Sequence, residues 1–350
     1  MKICLLNNLY KPYNRGGAEK VLEAIIAKQQ KAGNEIILIT TKPQIPALEE
    51  NNDCKTFYIK SDFYNLNQKS LITKLFWHFG DLVSCKKYQT ISKILKAEQP
   101  DVVVTHNLMG LGLRVAKIIK KYKIKHHHFL HDIQLLHPSG LMISGHEKKI
   151  DSIFAKIYQA ITSSLIGSPA LIISPSNWLL KEHLKRGFFK TSKQEIKRLE
   201  DVLPLNSPKT ISLNKNNKNL LFIGQIEKHK GILFLITAFK KYAQPNTKLN
   251  IAGDGSQLEE AKLLASSDNR INILGRLGKA ELEKLMSESN ILIMPSLCYE
   301  NYPMVIVEAK NASLSVIASN IGGVPEMTDS RDLLFAPGDA KDLFKQINKV

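Results

Sequence analysis

The stretch "CYENYPMVIVEAKNAS", residues 298–313, places two glutamates, Glu300 and Glu308, on either side of a proline. Proline's fixed φ and missing N–H suit the first helical position, so the pattern predicts a helix opening at Pro303, with Glu300 just before it and Glu308 inside it. The amides of Tyr302, Met304 and Val305 would then point out of the helix start, and such an end attracts anions, phosphate above all. Two carboxylates beside a phosphate site would repel the phosphate, unless each is aimed at hydroxyl groups on what is attached to it. A nucleotide-sugar, with ribose at one end of a diphosphate and a hexose at the other, has that shape.

Around this element the pattern alternates. Strands are predicted at 219–223, 248–252, 271–274, 290–294 and 315–318, with helices at about 230–243, 256–266, 279–288 and 304–312 between them. A first alternating series precedes it: a strand at 2–7, an amphipathic helix at 18–32 closed by Gly33, strands at 35–40 and 101–106, a helix at about 110–122, a strand ending in "HHHFLHD", and a strand at 170–176. Strands alternating with helices imply parallel sheets covered on both faces. The polar, aperiodic "SPKTISLNKNNKN" at 207–219 separates the series. Two doubly wound α/β domains are therefore expected, 1–203 and 204–350, with ligands at the carboxyl ends of the strands in a cleft between them. The second series ends at Val350 inside a helix read from near Asp339, an early stop for this architecture.

The bulk numbers narrow the class. A chain of 350 residues exceeds one typical core. No apolar run approaches the roughly 18–20 residues that cross a bilayer, and the short one at the N-terminus breaks at Asn7, which suits a first buried strand better than a signal peptide. A cytoplasmic location is expected. Cys4, Cys54, Cys85 and Cys298 are scattered without C-x-x-C spacing, which argues for reduced thiols and against a zinc site. Residues 1–203 carry 31 Lys and Arg against 17 Asp and Glu, while residues 204–350 carry 18 against 15. The basic first half could serve nucleic acid, an anionic membrane surface or an acidic substrate. No RNA motif, paired Cys/His finger or recognition helix appears, so nucleic acid is not expected as a partner.

Other motifs gain meaning from their neighbours. "LYKPYNRGGAEK" sets Gly16 and Gly17 at a helix start, where a ligand can approach the backbone closely. "LLFIGQIEKHKGI" runs from a strand through Gly224 and Gln225 to Lys230, a compact charge suited to a diphosphate. In "LNIAGDGSQLEE" the glycines make a turn and Asp254 is expected to cap the next helix. "FLHDIQLLHP" ends a strand with His131 and Asp132, and "NIGGVPEMT" offers the amides of Gly322 and Gly323. His126, His127 and His128 are a poor chelate, because adjacent strand residues face opposite sides. The segment 68–83, with Leu71, Ile72, Leu75, Phe76, Trp77 and Phe79 among lysines, could lie on an anionic membrane or pack as a core helix of the first domain.

Together these blocks resemble the retaining glycosyltransferases of the GT-B fold, family 4 (group 1), over nearly the whole chain and most strongly over 219–337. The most specific piece is the E-x7-E element within "PSLCYENYPMVIVEAKNASLSVIASNIGGVPE"; "GQIEKHKG", "IAGDG", "GGAEK" and "PDVVVTHN" support it. The resemblance implies that Glu308 holds the donor ribose and Glu300 contacts the donor sugar, while Lys230 and the amides around Tyr302, Pro303, Met304 and Val305 hold the diphosphate. It further implies that His131 faces the donor sugar, that Gly16 and Gly17 lie over the donor, and that Gly224 and Gln225 line the donor site. No D-x-D sequence occurs, so no metal and no cofactor is expected beyond the nucleotide-sugar co-substrate. The implied partners are that donor and a glycan or lipid-linked acceptor in cell-surface polysaccharide synthesis, with an anionic membrane surface as a further candidate. The chain departs from the family pattern at Gln225, where arginine is usual, and at Ser313 and Ser315, where glycine and proline are usual. A nucleotide-sugar binding protein that has lost transfer is the competing reading; a same-fold epimerase would need different acids and bases.

Overall fold

The computed structural model describes residues 1–13, 16–45, 53–198 and 218–350. The chain divides into two compact units, Met1–Leu141 with Lys148–Leu203, and Met142–Glu147 with Pro204–Val350. Most of the polar segment read as a boundary, residues 207–217, lies outside the described residues.

In the first unit, strands β1 (Lys2–Leu6), β2 (Glu35–Lys42), β3 (Lys55–Lys60), β4 (Val102–Thr105), β5 (Lys125–Phe129), β6 (Leu171–Ser174) and β7 (Lys193–Ile196) form one parallel sheet in the order β3-β2-β1-β4-β5-β6-β7. The helices are α1 (Gly17–Lys31), α2 (Leu71–Val83), α3 (Cys85–Glu98), α4 (Val115–Lys121), α5 (Ile153–Ile166) and α6 (Asn177–Leu184). Leu22 and Ile26 on one face of α1 pack with Ile3, Leu5, Ile36 and Leu38 of the sheet. That burial, rather than helix propensity, fixes α1 on the sheet.

The second unit holds β8 (Lys218–Ile223), β9 (Thr247–Ala252), β10 (Ile271–Gly275), β11 (Ile291–Met294), β12 (Ser315–Ser319) and β13 (Leu333–Phe335), parallel in the order β10-β9-β8-β11-β12-β13. Its helices are α7 (Ile232–Tyr242), α8 (Leu258–Ala265), α9 (Lys279–Ser287), α10 (Met304–Asn311) and α11 (Ala340–Ile347). The α11 N-terminus is capped by Asp339, whose carboxylate accepts from the amides of Lys341 and Asp342, and Leu343, Phe344 and Ile347 join the core around Phe239.

Several expectations shift. The helix read over 110–122 begins at Val115, because the preceding residues wind through turns in which the amides of Leu111 and Gly112 both donate to Leu108 O. Pro303 stands at the N-cap of α10 with ψ 115°, one position earlier than expected, so the first helical residue is Met304. Asp254 does not cap α8: its carboxylate accepts from the amide of Gly255, while Glu227 takes both the amide and the hydroxyl of Ser256. Residues 142–147, expected with the first domain, group with the second unit.

Candidate active site

In the second sheet the chain moves outward from β8 through β9 to β10, then returns to β8's other side as β11 and continues outward to β13. The strand order therefore reverses between β8 and β11. A parallel sheet of this kind offers a ligand crevice where the order reverses, at the carboxyl ends of those two strands. Lys230 lies in the loop after β8, and Glu300 in the loop after β11.

Backbone packing brings them together. Gly231, at φ +73°, lies so close to the β11 loop that a Cβ there would be 2.1 Å from Pro295 O. The amide of Leu297 donates to His229 O at 2.9 Å, tying the two loops. On the far side, Gly322 at φ +66° would place a Cβ 2.2 Å from Glu300 O, and the amide of Gly323 donates to that same oxygen at 2.8 Å. The paired glycines after β12 thus clasp the Glu300 backbone, with the Gly323 amide spent on it. Residues 142–147 support the loop from another direction: Ile143 bridges Cys298, the amide of Tyr299 donates to Met142 O, and the Tyr299 hydroxyl donates to Glu147 Oε1 at 3.1 Å.

On this frame Lys230 Nζ donates to Glu300 Oε1 at 2.6 Å, and the Ser296 hydroxyl donates to the same oxygen at 2.7 Å. The Cys298 thiol approaches it at 3.7 Å. No hydrogen bond reaches Oε2 among the described residues, which leaves one carboxylate oxygen to accept from a ligand hydroxyl. Burial alone would raise the Glu300 carboxyl, but the ammonium of Lys230 and the hydrogen bonds from Lys230 and Ser296 hold it below its ordinary value. Burial correspondingly works against the Lys230 ammonium, and Glu300 overcomes it and raises the group. Burial, with Glu300 adding to it, pushes the Cys298 thiol up to about 12, so it is a neutral donor.

The other second-unit candidates surround this pair. Pro303 supplies no side-chain oxygen to cap α10, so the amides of Met304 and Val305 are not met by a side-chain cap. Tyr302 is buried and Glu308 is half-buried on α10. Gly224 donates its amide to Ala252 O, and Gln225 is exposed at the tip of the β8 loop.

The first unit repeats the topology. Its order reverses between β1 and β4, after which come Asn7 and Asn8 on one side and His106 and Asn107 on the other. The amide of Asn8 donates to Asn107 O at 2.8 Å, and that of Asn107 donates to Asn7 Oδ1 at 3.1 Å. His131, two residues past β5, shares a 2.8 Å hydrogen bond with His106, Nε2 to Nδ1, and Phe129 stacks on both rings. Burial lowers His131 to about 4 and His106 well below its ordinary value, so both are neutral at neutral pH. Asp132 is raised to about 6 by burial. His126 and His128 share the hydroxyl of Thr105 at 2.8 Å each, placing alternate histidines on one face as the pleat demands. Gly16 is the N-cap of α1 and Gly17 its first residue; the Gly16 amide donates to Glu19 Oε2 at 2.6 Å, so a carboxylate already occupies this helix start. Among the described residues no group of three His, Cys, Asp or Glu could hold a metal ion, and no helix is long and apolar enough to cross a membrane.

Sequence reasoning missed Ser296 and Cys298 as partners of Glu300, and the Asn7, Asn8, His106 and Asn107 cluster. The signal for the latter was available, since these polar residues directly follow two apolar strands. The supporting role of 142–147 had no sequence signal.

Comparison with known proteins gives a consistent picture. Residues 15–195 match the model of Glycosyltransferase Family 4, and residues 206–350 that of Glycosyl transferases group 1. A 42.6 kDa protein of the cps region of Klebsiella pneumoniae is 28% identical over 98% of this chain and 91% of its own. TuaC of Bacillus subtilis, named for teichuronic acid biosynthesis, is 23% identical over 100% of this chain and 89% of its own. Among solved structures, sucrose-phosphate synthase from Thermosynechococcus elongatus superposes with a TM-score of 0.70 at 18% identity, covering 99% of this chain and 89% of its own. HepE from Anabaena, solved with UDP-glucose, superposes with a TM-score of 0.66 at 20% identity, covering 100% and 89%. These likenesses establish the GT-B fold class, with its two Rossmann-like parallel-sheet domains.

Proposed function

Because the chain belongs to glycosyltransferase family 4, we propose that it transfers a hexose, with retention of configuration, from a nucleotide-diphosphate sugar to a glycan or lipid-linked acceptor in cell-surface polysaccharide synthesis. The observation that carries this reading is the Lys230–Glu300 pair at the reversal point of the second sheet, beside the uncapped start of α10. In this reading the second unit binds the donor and the first the acceptor.

When the bond from the anomeric carbon to the diphosphate breaks, negative charge grows on the leaving phosphate oxygen and positive charge on the sugar. Lys230 and the amides of Met304 and Val305 are preorganised donors for the former, without a metal clamp. Glu300 keeps Oε2 for a sugar hydroxyl, and its charge stands near the cationic sugar. Glu308, farther along α10, takes the ribose hydroxyls. The neutral His131 donates to or accepts from a sugar hydroxyl without adding charge. The cps-region and teichuronic-acid relatives support a surface-polymer acceptor, and the UDP-glucose bound to HepE makes uridine nucleotides the first donors to try.

The test is calorimetric titration of wild type and Glu308→Ala with UDP, GDP, ADP and their sugar conjugates, followed by transfer assays with the donor that binds. Saturable binding of one series, weakened by the substitution, supports the donor site. Binding without transfer or donor hydrolysis across a broad acceptor panel would favour a sugar-nucleotide binding protein; its motivation is Gln225, which leaves Lys230 without the usual arginine beside it.

A further inference from the structure

Exposed large apolar side chains are mostly scattered singly over the described residues, but three crowd the first two turns of α5: Ile153 is 76% exposed, Phe154 86% and Ile157 53%. The helix does not need them for its own seat. Ser152 caps it by accepting from the amide of Ala155, and its inner face is held by polar anchors. Gln159 donates to Leu136 O and Ile150 O, and Thr162 donates to Leu135 O. A patch of this kind, kept on the outside of an otherwise anchored helix, is the mark of a surface built to meet something apolar.

Its surroundings are basic. Lys148 and Lys149 precede the helix, and Lys156 lies within the apolar turn. On the neighbouring stripe of the helix, an open concavity of about 770 Å³ is lined by Lys156, Ser163, Ser164, Lys185 and Lys190 together with Arg186. The acids there are already neutralised: Asp151 receives two hydrogen bonds from Arg186, at 2.8 and 3.1 Å, and Glu182 is paired with Arg186 and Lys185. Lys148, Lys149, Lys156 and Lys190 make no ion pair among the described residues.

We propose that this face docks on an anionic phospholipid surface, with Ile153, Phe154 and Ile157 entering the boundary between headgroups and acyl chains and the lysine-lined concavity taking lipid phosphates. A helix turn with apolar side chains on one stripe and lysines beside it binds such a surface through both terms at once. A second copy of the chain fits less well, because a two-fold contact here would bring the same lysines against one another. The assignment moves the membrane-facing element from segment 68–83, where Phe76 is exposed but Trp77 packs against Phe63, to α5. It rests on the transfer reading only in giving a lipid-linked acceptor a place to be met.

The experiment is co-sedimentation of the full chain with phosphatidylcholine vesicles, with and without phosphatidylglycerol, at low and high salt. The expected result is binding to the phosphatidylglycerol vesicles alone, weakened by salt, and reduced at least about tenfold both by combined Ile153→Ser, Phe154→Ser and Ile157→Ser and by combined Lys156→Glu and Lys190→Glu. Phe76→Ser should bind as wild type does. All these side chains are on the surface, and unchanged thermal melting confirms folding. Absence of binding to anionic vesicles, equal binding to neutral ones, or wild-type binding by the apolar triple variant overturns the proposal. So does a concentration-dependent dimer that the triple variant abolishes. Nucleotide titration of the same variants separates the two readings: intact nucleotide binding with no vesicle binding sinks docking alone, and the reverse sinks the donor site alone.

Discussion

Lys230 and Glu300 in the second unit, and His106 and His131 in the first, stand at corresponding places, past the carboxyl ends of central strands in sheets wound alike, with His128 inside β5 beside them. Burial acts on both groups in the same sense, against charge, but with opposite results. In the second unit two opposite charges 2.6 Å apart share one withdrawn site, so each keeps the other ionised. In the first unit histidine neighbours histidine, no counter-charge compensates, and the rings stay neutral. A site that holds fixed charge and a site that holds only uncharged hydrogen bonds are thus made from the same topology by the choice of partner.

The largest test of this contrast is pH. His126, His131 and His183 are each lowered by burial from 6.5 to about 4, and His106 and His128 well below 6.5. Between those values the unfolded chain binds more protons than the folded one, so stability is fully present above about pH 6.5 and is lost as pH falls toward 4. Each histidine taken to about 4 accounts for roughly 3 kcal/mol over that window. Asp132, raised to about 6, works the other way and offsets about one of them. The depressed carboxylates add losses of the same sign only at lower pH. Thermal melts at decreasing pH should therefore show steep destabilisation between pH 6.5 and 4.5, less steep in His126→Gln. A flat profile would mean that the rings carry protons in the folded state.

Breaking the charged pair comes next. Lys230→Ala should lower kcat by about 10²–10³-fold, the effect of removing one preorganised donor from a developing anion, while Lys230→Arg should retain more of the rate. An unchanged kcat in Lys230→Ala would reduce the pair to a structural contact. Gly322→Ala approaches the pair through the backbone: at φ +66°, with its Cβ 2.2 Å from Glu300 O, it should cost about 3 kcal/mol of stability and displace Glu300. Its melting temperature and its donor affinity should fall together; a drop in the first alone would show that the glycine clasp serves only the fold.

Much of this was legible in the sequence, and the unread parts share a cause. The E-x7-E stretch, the block after β8 and the strand-helix alternation are local patterns, and they marked Lys230, Glu300 and Glu308 as candidates and gave the ranges of most strands. β3, β7 and β13 were not read. β7 is exposed along its whole length and β3 has one buried position among six, so neither carries the apolar run that announces a central strand, while β13 has only three residues. Ser296 and Cys298 became partners of Glu300 only through the path of one loop. The contact of residues 142–147 with residues 297–299 pairs segments more than 150 residues apart, which periodicity cannot show. Pro303 was misplaced by one position because N-cap and first-turn prolines have the same φ and differ in ψ.

The smallest effect concerns Ser313, at a position where the resemblance implies glycine. The backbone has kept the glycine conformation: Ser313 lies at φ +63°, its amide donates to Lys310 O at 3.0 Å, and the amide of Leu314 donates to Ala309 O at 3.0 Å. Those two bonds are a Schellman closure of α10, and its αL position disfavours any side chain with a Cβ. Ser313→Gly should therefore relieve more strain in the folded state than it adds freedom to the unfolded chain, a net gain of about 0.5–1 kcal/mol and a melting temperature higher by about 2 °C. Because Glu308 is the fifth residue of the same helix, donor affinity should stay at the wild-type value if the closure already holds α10 in place. A gain in affinity accompanying the gain in stability would mean instead that the serine loosens the helix on which Glu308, the proposed ribose contact, stands, and that it tunes the proposed donor site as well as the fold.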